Sequence, residues 1–138
     1  MSGIQQRKKT GEYCRDGAVV FINCSNHPSK RWGERQREEA EKYGEIVDVP
    51  FPEVDPAWPE ERIGEEAENI CRKICQYNVA AVMCQGEFTL SYAIVSRLKE
   101  RGIPVFAACS SRKAVETVNP DGSTRKEVLF CFERFRRY

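Results

Sequence analysis

Residues 79–108 read VAAVMCQGEFTLSYAIVSRLKERGIPVFAA, and this segment is the clearest indication of the fold class. Residues 79–83 form a short continuous apolar run, typical of a strand buried on both faces of a parallel sheet. Residues 103–108 form a second such run. A helix is expected between them from about residue 88 to residue 101, with Gly102 as its stop. Its apolar residues share one face: Leu90, Ala93, Ile94 and Leu98.

The same alternation of strand and helix extends toward the N-terminus. Residues 18–23 and 45–49 are short apolar strands, and residues 31–43 between them form a charged, moderately amphipathic helix. The expected inner contacts of this helix are Trp32, Ala40 and Tyr43. A proline-rich loop at 50–59 precedes a second helix, which one of the last two prolines opens. That helix carries a clear apolar stripe: Ile63, Ala67, Ile70, Ile74 and Tyr77.

The C-terminal part predicts a hairpin. A polar loop at 110–113 is expected after the strand at 103–108, and residues 114–118 and 126–132 then pair around a turn at 119–122. The order β-α-β-α-β-α-β followed by a hairpin predicts an α/β fold. Its expected form is a Rossmann-like, doubly wound, mostly parallel sheet with a C-terminal β-hairpin.

Composition limits both the domain count and the class of partner. The 138 residues, of which 41% are hydrophobic and 31% charged, predict one globular domain over residues 17–138, preceded by a basic, loosely ordered lead-in at 1–16. The net charge of +1 argues against binding long nucleic acid. No apolar run approaches the length of a membrane span, and residues 1–15 lack the apolar core of a signal peptide. We therefore expect a cytoplasmic protein without membrane contact.

The charge is unevenly distributed along the chain. Residues 1–15 carry four basic and one acidic side chain, residues 16–110 carry 11 and 16, and residues 111–138 carry seven and four. The near-neutral total therefore conceals basic ends around an acidic middle. This pattern favours a small anionic ligand held at one edge of the sheet.

The cysteines predict neither a disulfide framework nor a metal site. Their number is seven, which is odd, and no CxxC pair occurs, so most are expected to be small buried hydrophobes. Cys71 and Cys75 are four residues apart and could share a helix face as two ligands. Only His27 could complete such a site, and we expect no metal and no cofactor.

Three polar segments follow predicted strands and mark the candidate site. In open α/β sheets, ligands bind beyond the carboxyl ends of the strands, where the strand order reverses. Two of these segments also precede helices, whose free N–H groups favour phosphate. The candidate residues are Ser25, Asn26, His27, Gln85, Gly86, Glu87, Phe88, Thr89, Ser110, Ser111, Arg112 and Lys113.

Each of these residues also has a purely structural interpretation. Ser25, Asn26 and Thr89 are typical of turns and N-caps. Gly86 suits a tight turn as well as a close ligand, and Glu87 could pair with the helix dipole. Arg112 and Lys113 could be ordinary surface charges. The chain lacks the GxGxxG, GxxxxGK[ST] and GxSxG motifs, which disfavours dinucleotide binding, P-loop hydrolysis and esterase chemistry.

Three runs of sequence resemble a known family. They are residues 21–27 (FINCSNH), residues 85–89 (QGEFT), and a tail from Arg112-Lys113 through Asp121-Gly122 to residues 135–138. These runs are similar to the small stand-alone CRISPR-associated Rossmann-fold (CARF-type) ring nucleases of type III CRISPR systems. The resemblance covers residues 18–138, and the lead-in at 1–16 and the loop at 50–59 depart from it.

The resemblance implies a homodimer that binds cyclic oligoadenylate, usually cyclic tetra-adenylate, and cleaves it to linear di-adenylate. It implies a metal-independent attack by a ribose 2′-OH on the adjacent phosphodiester, which switches off the antiviral response. In that scheme His27 transfers a proton, Arg112 and Lys113 stabilise phosphate charge, and Glu87 holds the 2′-OH or serves as the base. Phosphates and riboses would be oriented by Ser25, Asn26, Gln85, Gly86 and Thr89.

Three alternatives stay open at this point. The protein could bind the cyclic nucleotide without cutting it, since both functions need the same pocket. It could be a nucleoside deoxyribosyltransferase-like enzyme with Glu87 as nucleophile. It could also be an interaction module that uses Trp32, Trp58 and the aromatic tail.

Overall fold

The computed structural model describes residues 17–138, and the predicted basic lead-in lies outside these residues. The described part is a mixed α/β fold with one five-stranded, mostly parallel sheet and three α-helices. A short 3-10 turn at Ser29–Arg31 precedes the first helix. The elements are β1 (Val19–Ser25), α1 (Glu34–Glu41), β2 (Glu45–Asp48), α2 (Glu60–Ile74), β3 (Asn78–Gln85), α3 (Phe88–Glu100), β4 (Val105–Val118) and β5 (Thr124–Arg137).

The strand order in the sheet is β2-β1-β3-β4-β5. β1 pairs in parallel with β2 and β3, and β3 pairs in parallel with β4. The chain therefore moves from β1 outward to β2, returns to β3 on the other side of β1, and continues to β4. The strand order reverses between β1 and β3, where adjacent carboxyl ends leave a crevice.

Two apolar clusters cover the two faces of the sheet. The first is the larger one, where Ile22, Val82 and Cys84 of the sheet pack with α2 and α3 through residues such as Ile70 and Leu90. The second contains Phe21, Ala81, Met83 and Phe106 from the sheet and Ala40 from α1. Continuous apolar strands are required because both faces are covered. The apolar runs at the predicted first and third strands are thereby explained.

The first helix is shorter than the sequence predicts. Of the helix predicted over residues 31–43, only the eight residues of α1 are α-helical in the structure, and the 3-10 turn precedes them. Of the expected inner contacts only Ala40 lies in α1, where it is fully buried; Trp32 and Tyr43 flank the helix, with their rings 6.3 and 5.7 Å from that of Phe21. Gly33 stands at the N-cap of α1, and it ends the extended segment that separates the two helical pieces.

The C-terminal strands differ most from the prediction. The expected loop at 110–113 is wrong, because Ser110, Ser111, Arg112 and Lys113 lie inside the single strand β4. This strand pairs antiparallel with β5 from Phe106 to Val118, with a bulge opposite Cys109 and Ser110. A two-stranded ribbon results, and it extends beyond the parallel part of the sheet. We call residues 110–132 the arm.

No helix within residues 17–138 is long and apolar enough to cross a membrane.

Candidate functional site

The loop after β1 is held by a buried asparagine. Asn23 is 1% exposed, and its Nδ2 donates to the carbonyl oxygen of His27 at 2.8 Å and to Oδ1 of Asp48 at 3.1 Å. The Ser25 hydroxyl donates to Oδ1 of Asn23 at 2.7 Å, and it accepts the His27 N–H at 3.2 Å. Ser29 N–H donates to the other Asp48 oxygen at 3.1 Å. Neighbouring strand ends therefore fix the backbone of this loop.

The side chains of Asn26 and His27 differ from the groups that hold the loop. Both residues are exposed, and neither side chain forms a hydrogen bond with the described residues. Ser25, in contrast, is 8% exposed, and its hydroxyl contacts Oδ1 of Asn23 and both the N–H and the carbonyl of His27. The rigid loop thus presents an amide and an imidazole to solvent, while Ser25 serves the loop itself.

The end of β3 lies directly beside this loop. Ser25 and Gln85 are register partners in the β1–β3 pair, so Asn26-His27 and Gly86-Glu87 begin at the same level of the sheet. Oε1 of Gln85 accepts the backbone N–H of Ala108 in β4. The structure therefore brings two of the three predicted segments together at the point where strand order reverses. Gln85 has a structural task there, linking β3 to β4.

Gly86 is covered by an aromatic ring. A Cβ atom at this position would lie 2.4 Å from Cε1 of Phe51, which is 7% exposed. Phe51 belongs to the proline-rich loop after β2. Gly86 is therefore needed for the close approach of Phe51, and this loop closes the site on one side.

Glu87 occupies the N-terminus of α3. It is the N-cap residue, and its Oε1 accepts the Leu90 N–H at 2.7 Å. The Thr89 hydroxyl donates to both carboxylate oxygens at 2.8 and 2.9 Å. The hydrogen bonds from Leu90 and then Thr89 lower the pKa of Glu87 below its usual range. A carboxylate fixed here repels phosphate from the end of α3 where the sequence predicts it to bind.

A groove lies beside Glu87 on the α2–α3 face. Its volume is about 430 Å³. The carboxylates of Asp55, Glu60 and Glu87 line it together with Trp58. The guanidinium carbon of Arg62 lies over the Trp58 ring, 4.3 Å from the ring centroid. None of the lining residues within 17–138 is basic, and their carboxylates make the groove unfavourable for phosphate. The remaining lining residues are Val54, Pro56, Ile63 and Thr89.

The third predicted segment lies away from the other two. Ala108 is level with Gln85, and a strand rises about 3.3 Å per residue, so Ser110 stands roughly 7 Å and Arg112 roughly 13 Å farther along β4. Ser111 donates its hydroxyl to Glu133 at 2.8 Å. Arg112 and Lys113 are exposed on the arm. Within one chain, their charges therefore stand beyond the crevice.

Phe88 follows Glu87 and is exposed to solvent. Its side chain is 89% exposed, at the first position of α3. Large exposed aromatics are common at binding surfaces, and this one is available to stack on a flat ligand. Its own helix supplies no cover for it.

Residues 19–136 match the model described as the Uncharacterized protein MJ1673 family. The chain belongs to this family. No curated protein and no solved structure gives a match. The matched range of this MJ1673 family member includes every candidate site residue, from Ser25 to Lys113, as well as the arm.

Sequence reasoning missed several groups of this MJ1673 family member. Phe51 and Asp55 of the proline-rich loop, and Glu60 at the start of α2, shape the crevice and the groove, and the signal for the first two was the loop itself. This loop follows β2 and therefore starts at the same sheet edge as the candidate residues. The role of Asn23 in holding the loop had a weaker signal in the sequence, namely a polar residue at the end of an apolar run.

The cysteines of this family member fall into two environments. Most were predicted to be buried, but of the six described cysteines only Cys24, Cys71 and Cys84 are, whereas Cys75 is exposed and Cys109 and Cys131 are half-buried. Cys14 lies outside the described residues. Cys71 is buried within α2, whereas Cys75 is the exposed C-cap residue that follows the helix, so the two lie in different environments. Residues 17–138 contain no group of three potential metal ligands.

Proposed function

We propose that this protein is a ring nuclease, a homodimeric, metal-independent phosphodiesterase that binds cyclic oligoadenylate. The ligand to test first is cyclic tetra-adenylate, with linear di-adenylate as the product and the end of type III CRISPR signalling as the consequence. The observation that carries the proposal is the exposed Asn26-His27 pair on a rigid loop where strand order reverses. The proposal includes a cytoplasmic location.

The fold supports this proposal in its finer classification as a Rossmann-like, doubly wound domain. The order β2-β1-β3-β4 and the helices on both faces agree with that class. A ring with internal symmetry suits a symmetric dimer, because each subunit offers one copy of the same crevice. The antiparallel β5 is an addition at the sheet edge.

The proposed reaction uses the substrate's own nucleophile. A ribose 2′-OH attacks the adjacent phosphorus and loses its proton, the bond from phosphorus to the 5′ oxygen breaks, and that oxygen gains a proton. The products are a 2′,3′-cyclic phosphate and a free 5′-OH. His27 is the group we assign to proton transfer, and Asn26 the group that orients the phosphate. Two such cleavages convert a ring of four nucleotides into two linear dinucleotides.

Among the candidate catalytic residues, Glu87 suits the role of base less well than His27. Its carboxylate is held by Leu90 and Thr89, and its lowered pKa makes it a weak proton acceptor. We therefore assign Glu87 to the helix cap. Arg112 and Lys113 remain the proposed source of positive charge, supplied from the arm.

The test is a single-turnover assay with labelled cyclic tetra-adenylate in the presence of EDTA. The parent protein is expected to give linear di-adenylate. His27→Ala should reduce the cleavage rate by about a hundredfold or more, with much less change in affinity. Lys73→Ala is the matched control, because Lys73 is exposed in the last turn of α2, at the opposite edge of the sheet.

Two results would contradict parts of this proposal. Tight retention of the intact ring would support the alternative, a non-catalytic binder that sequesters the messenger. Cleavage at the parental rate by His27→Ala would show that the site has been misplaced.

A second candidate function is favoured by the groove beside Glu87. A carboxylate and the Trp58 ring line the same 430 Å³ space, and this combination suits a nucleoside better than a phosphate. In this function Glu87 would attack the sugar of a deoxynucleoside and release the base. Free base released by the parent and not by Glu87→Gln would support it, and release by neither protein would exclude it.

A further inference from the structure

The arm has an unpaired backbone edge. β4 pairs with β3 only at Val105 and Phe106, and beyond these residues no strand within residues 17–138 pairs with this outer edge of β4. The nine residues from 110 to 118 span roughly 30 Å of strand. An edge of this length presents a row of free N–H and C=O groups to another strand.

Two hydrogen bonds define which residues point toward this edge. At the tip, Asn119 N–H donates to the Ser123 carbonyl at 2.7 Å, so the backbone of Asn119 faces β5. At the root, Ala108 N–H donates to Gln85 in β3, on the other side of β4. Along a strand, the N–H and C=O groups of successive residues face opposite edges. Both hydrogen bonds indicate that odd-numbered residues face β5 and even-numbered residues face the outer edge. The N–H and C=O groups of the even-numbered residues therefore face outward: Ser110, Arg112, Ala114, Glu116 and Val118.

The charges on this edge are self-complementary. Arg112 and Glu116 are equidistant from Ala114, and all three have outward backbone groups. If two copies of β4 pair antiparallel with Ala114 opposite Ala114, then Arg112 of each copy stands opposite Glu116 of the other. A shift of this register by two residues sets Arg112 opposite Val118 or Ala114, and both ion pairs are lost.

The arm also gains stability from such a partner. A two-stranded ribbon is marginal in water by itself, whereas three or more strands with an apolar face are stable. The arm carries large exposed apolar side chains, among them Val118 at 72% and Phe130 at 71% exposure. Joining two arms creates a four-stranded sheet, β5-β4-β4-β5, in which the β4 edge is no longer free.

We propose that the outer edge of β4 is a self-association surface, on which a second copy of this chain pairs antiparallel about a two-fold axis at Ala114. This inference rests on the proposed function in one respect: that function requires a homodimer, and the interface describes how the homodimer forms. In place of the phosphate role proposed above, this interface assigns Arg112 to an ion pair with Glu116 of the second copy. Lys113, whose side chain stands on the opposite face of the ribbon, is then the basic group left for phosphate.

Charge reversal tests both the surface and its register. Light scattering of the parent is expected to give twice the chain mass of 15.9 kDa. Arg112→Glu and Glu116→Arg each create two like-charge contacts, and each should weaken the dimer by roughly tenfold or more. An equimolar mixture of the two variants restores both ion pairs, and it should recover the dimer mass as a heterodimer.

Lys113→Glu is the matched control, because it makes the same charge change one residue away and outside the two ion pairs. It should retain the parental dimer. A monomeric parent, single variants that dimerise like the parent, or a mixture that stays monomeric would each overturn the proposed interface. These readouts need no catalysis, so a dimer that behaves as expected without cleaving cyclic tetra-adenylate would count against the proposed function alone.

Discussion

The Leu90 amide donates to the Glu87 carboxylate at 2.7 Å, and this bond places a negative charge at the N-terminus of α3. The sequence predicts that end of the helix to attract phosphate, but the protein supplies its own anion there. Any phosphate in the crevice must bind on the β1 side, over Asn26 and His27, or displace Glu87 from its cap. The bond therefore limits where an anionic ligand can bind.

This cap makes stability depend on pH. The pKa of Glu87 in the folded protein lies below its ordinary value of 4.5, so its stabilisation is fully present above pH 4.5 and is lost as the pH falls through the folded value. Glu87→Gln should lower the urea midpoint at pH 7, and the difference from the parent should shrink in acid. Glu100→Gln, at the other end of α3, is the control. An equal difference at pH 7 and pH 3 would contradict the charged cap.

Gly86→Ala should destabilise the fold through one contact. The new methyl group would lie 2.4 Å from Phe51, and relief requires a shift of a buried ring. We expect a loss of about 1–3 kcal/mol in the free energy of unfolding. Gly64→Ala, inside α2, is the control, since a Cβ there meets only the end of the Arg97 side chain at 3.6 Å, an ordinary contact. The double variant with Phe51→Leu should recover part of the loss, and full additivity would contradict a direct clash.

Asn23→Ala should loosen the loop that carries His27. The change leaves the Ser25 hydroxyl and the His27 carbonyl without their buried partner, at a cost of roughly 1–3 kcal/mol in the free energy of unfolding. Hydrogen exchange should show faster exchange at the His27 amide. Asn69→Ala, on the exposed face of α2, is the control. Unchanged exchange at His27 would show that the loop is held by other contacts.

Thiol reactivity should separate the cysteines by environment. Burial raises the pKa of Cys71 to about 11, and a hydrogen bond with Cys24 together with burial raises that of Cys84. In a Cys14→Ser background at pH 8, exposed Cys75 should react first with a disulfide reagent. The three buried thiols should react only at the rate of unfolding. Fast reaction of Cys84 in the native protein would indicate that the β1–β3 crevice opens.

The sequence predicted the parallel part of the sheet because burial is recorded in it directly. The continuous apolar runs of β1 and β3 are typical of a strand covered on both faces, and the apolar stripe of α2 is typical of a helix with one buried face. The segment at 110–113 was misinterpreted because an exposed ribbon has no buried face. Residues 110–113 (Ser-Ser-Arg-Lys) therefore show no alternation of apolar and polar side chains, and only their pairing with β5 makes them a strand.

The candidate site was predicted in part for a similar reason. The positions of Asn26-His27 and Gly86-Glu87 follow from where their strands end, which is local information. The cover of Gly86 by Phe51 depends on the path of the proline-rich loop, and nothing in that loop's composition fixes the path. The sequence predicted an N-cap role for Thr89 and a pairing with the helix dipole for Glu87, whereas the structure makes Glu87 the N-cap of α3 and places Thr89 within the helix.

Arg35 joins the loop side of the molecule to the root of the arm. Its guanidinium donates to the carbonyls of Phe132 and Glu133 at 3.2 and 3.1 Å, across 97 and 98 residues of sequence. Glu133 is the extra residue of the bulge, so these hydrogen bonds attach α1 to the arm where the β4–β5 ladder is interrupted. Because α1 follows the His27 loop, a displacement of the arm at its root would have to break both hydrogen bonds or move α1 with it.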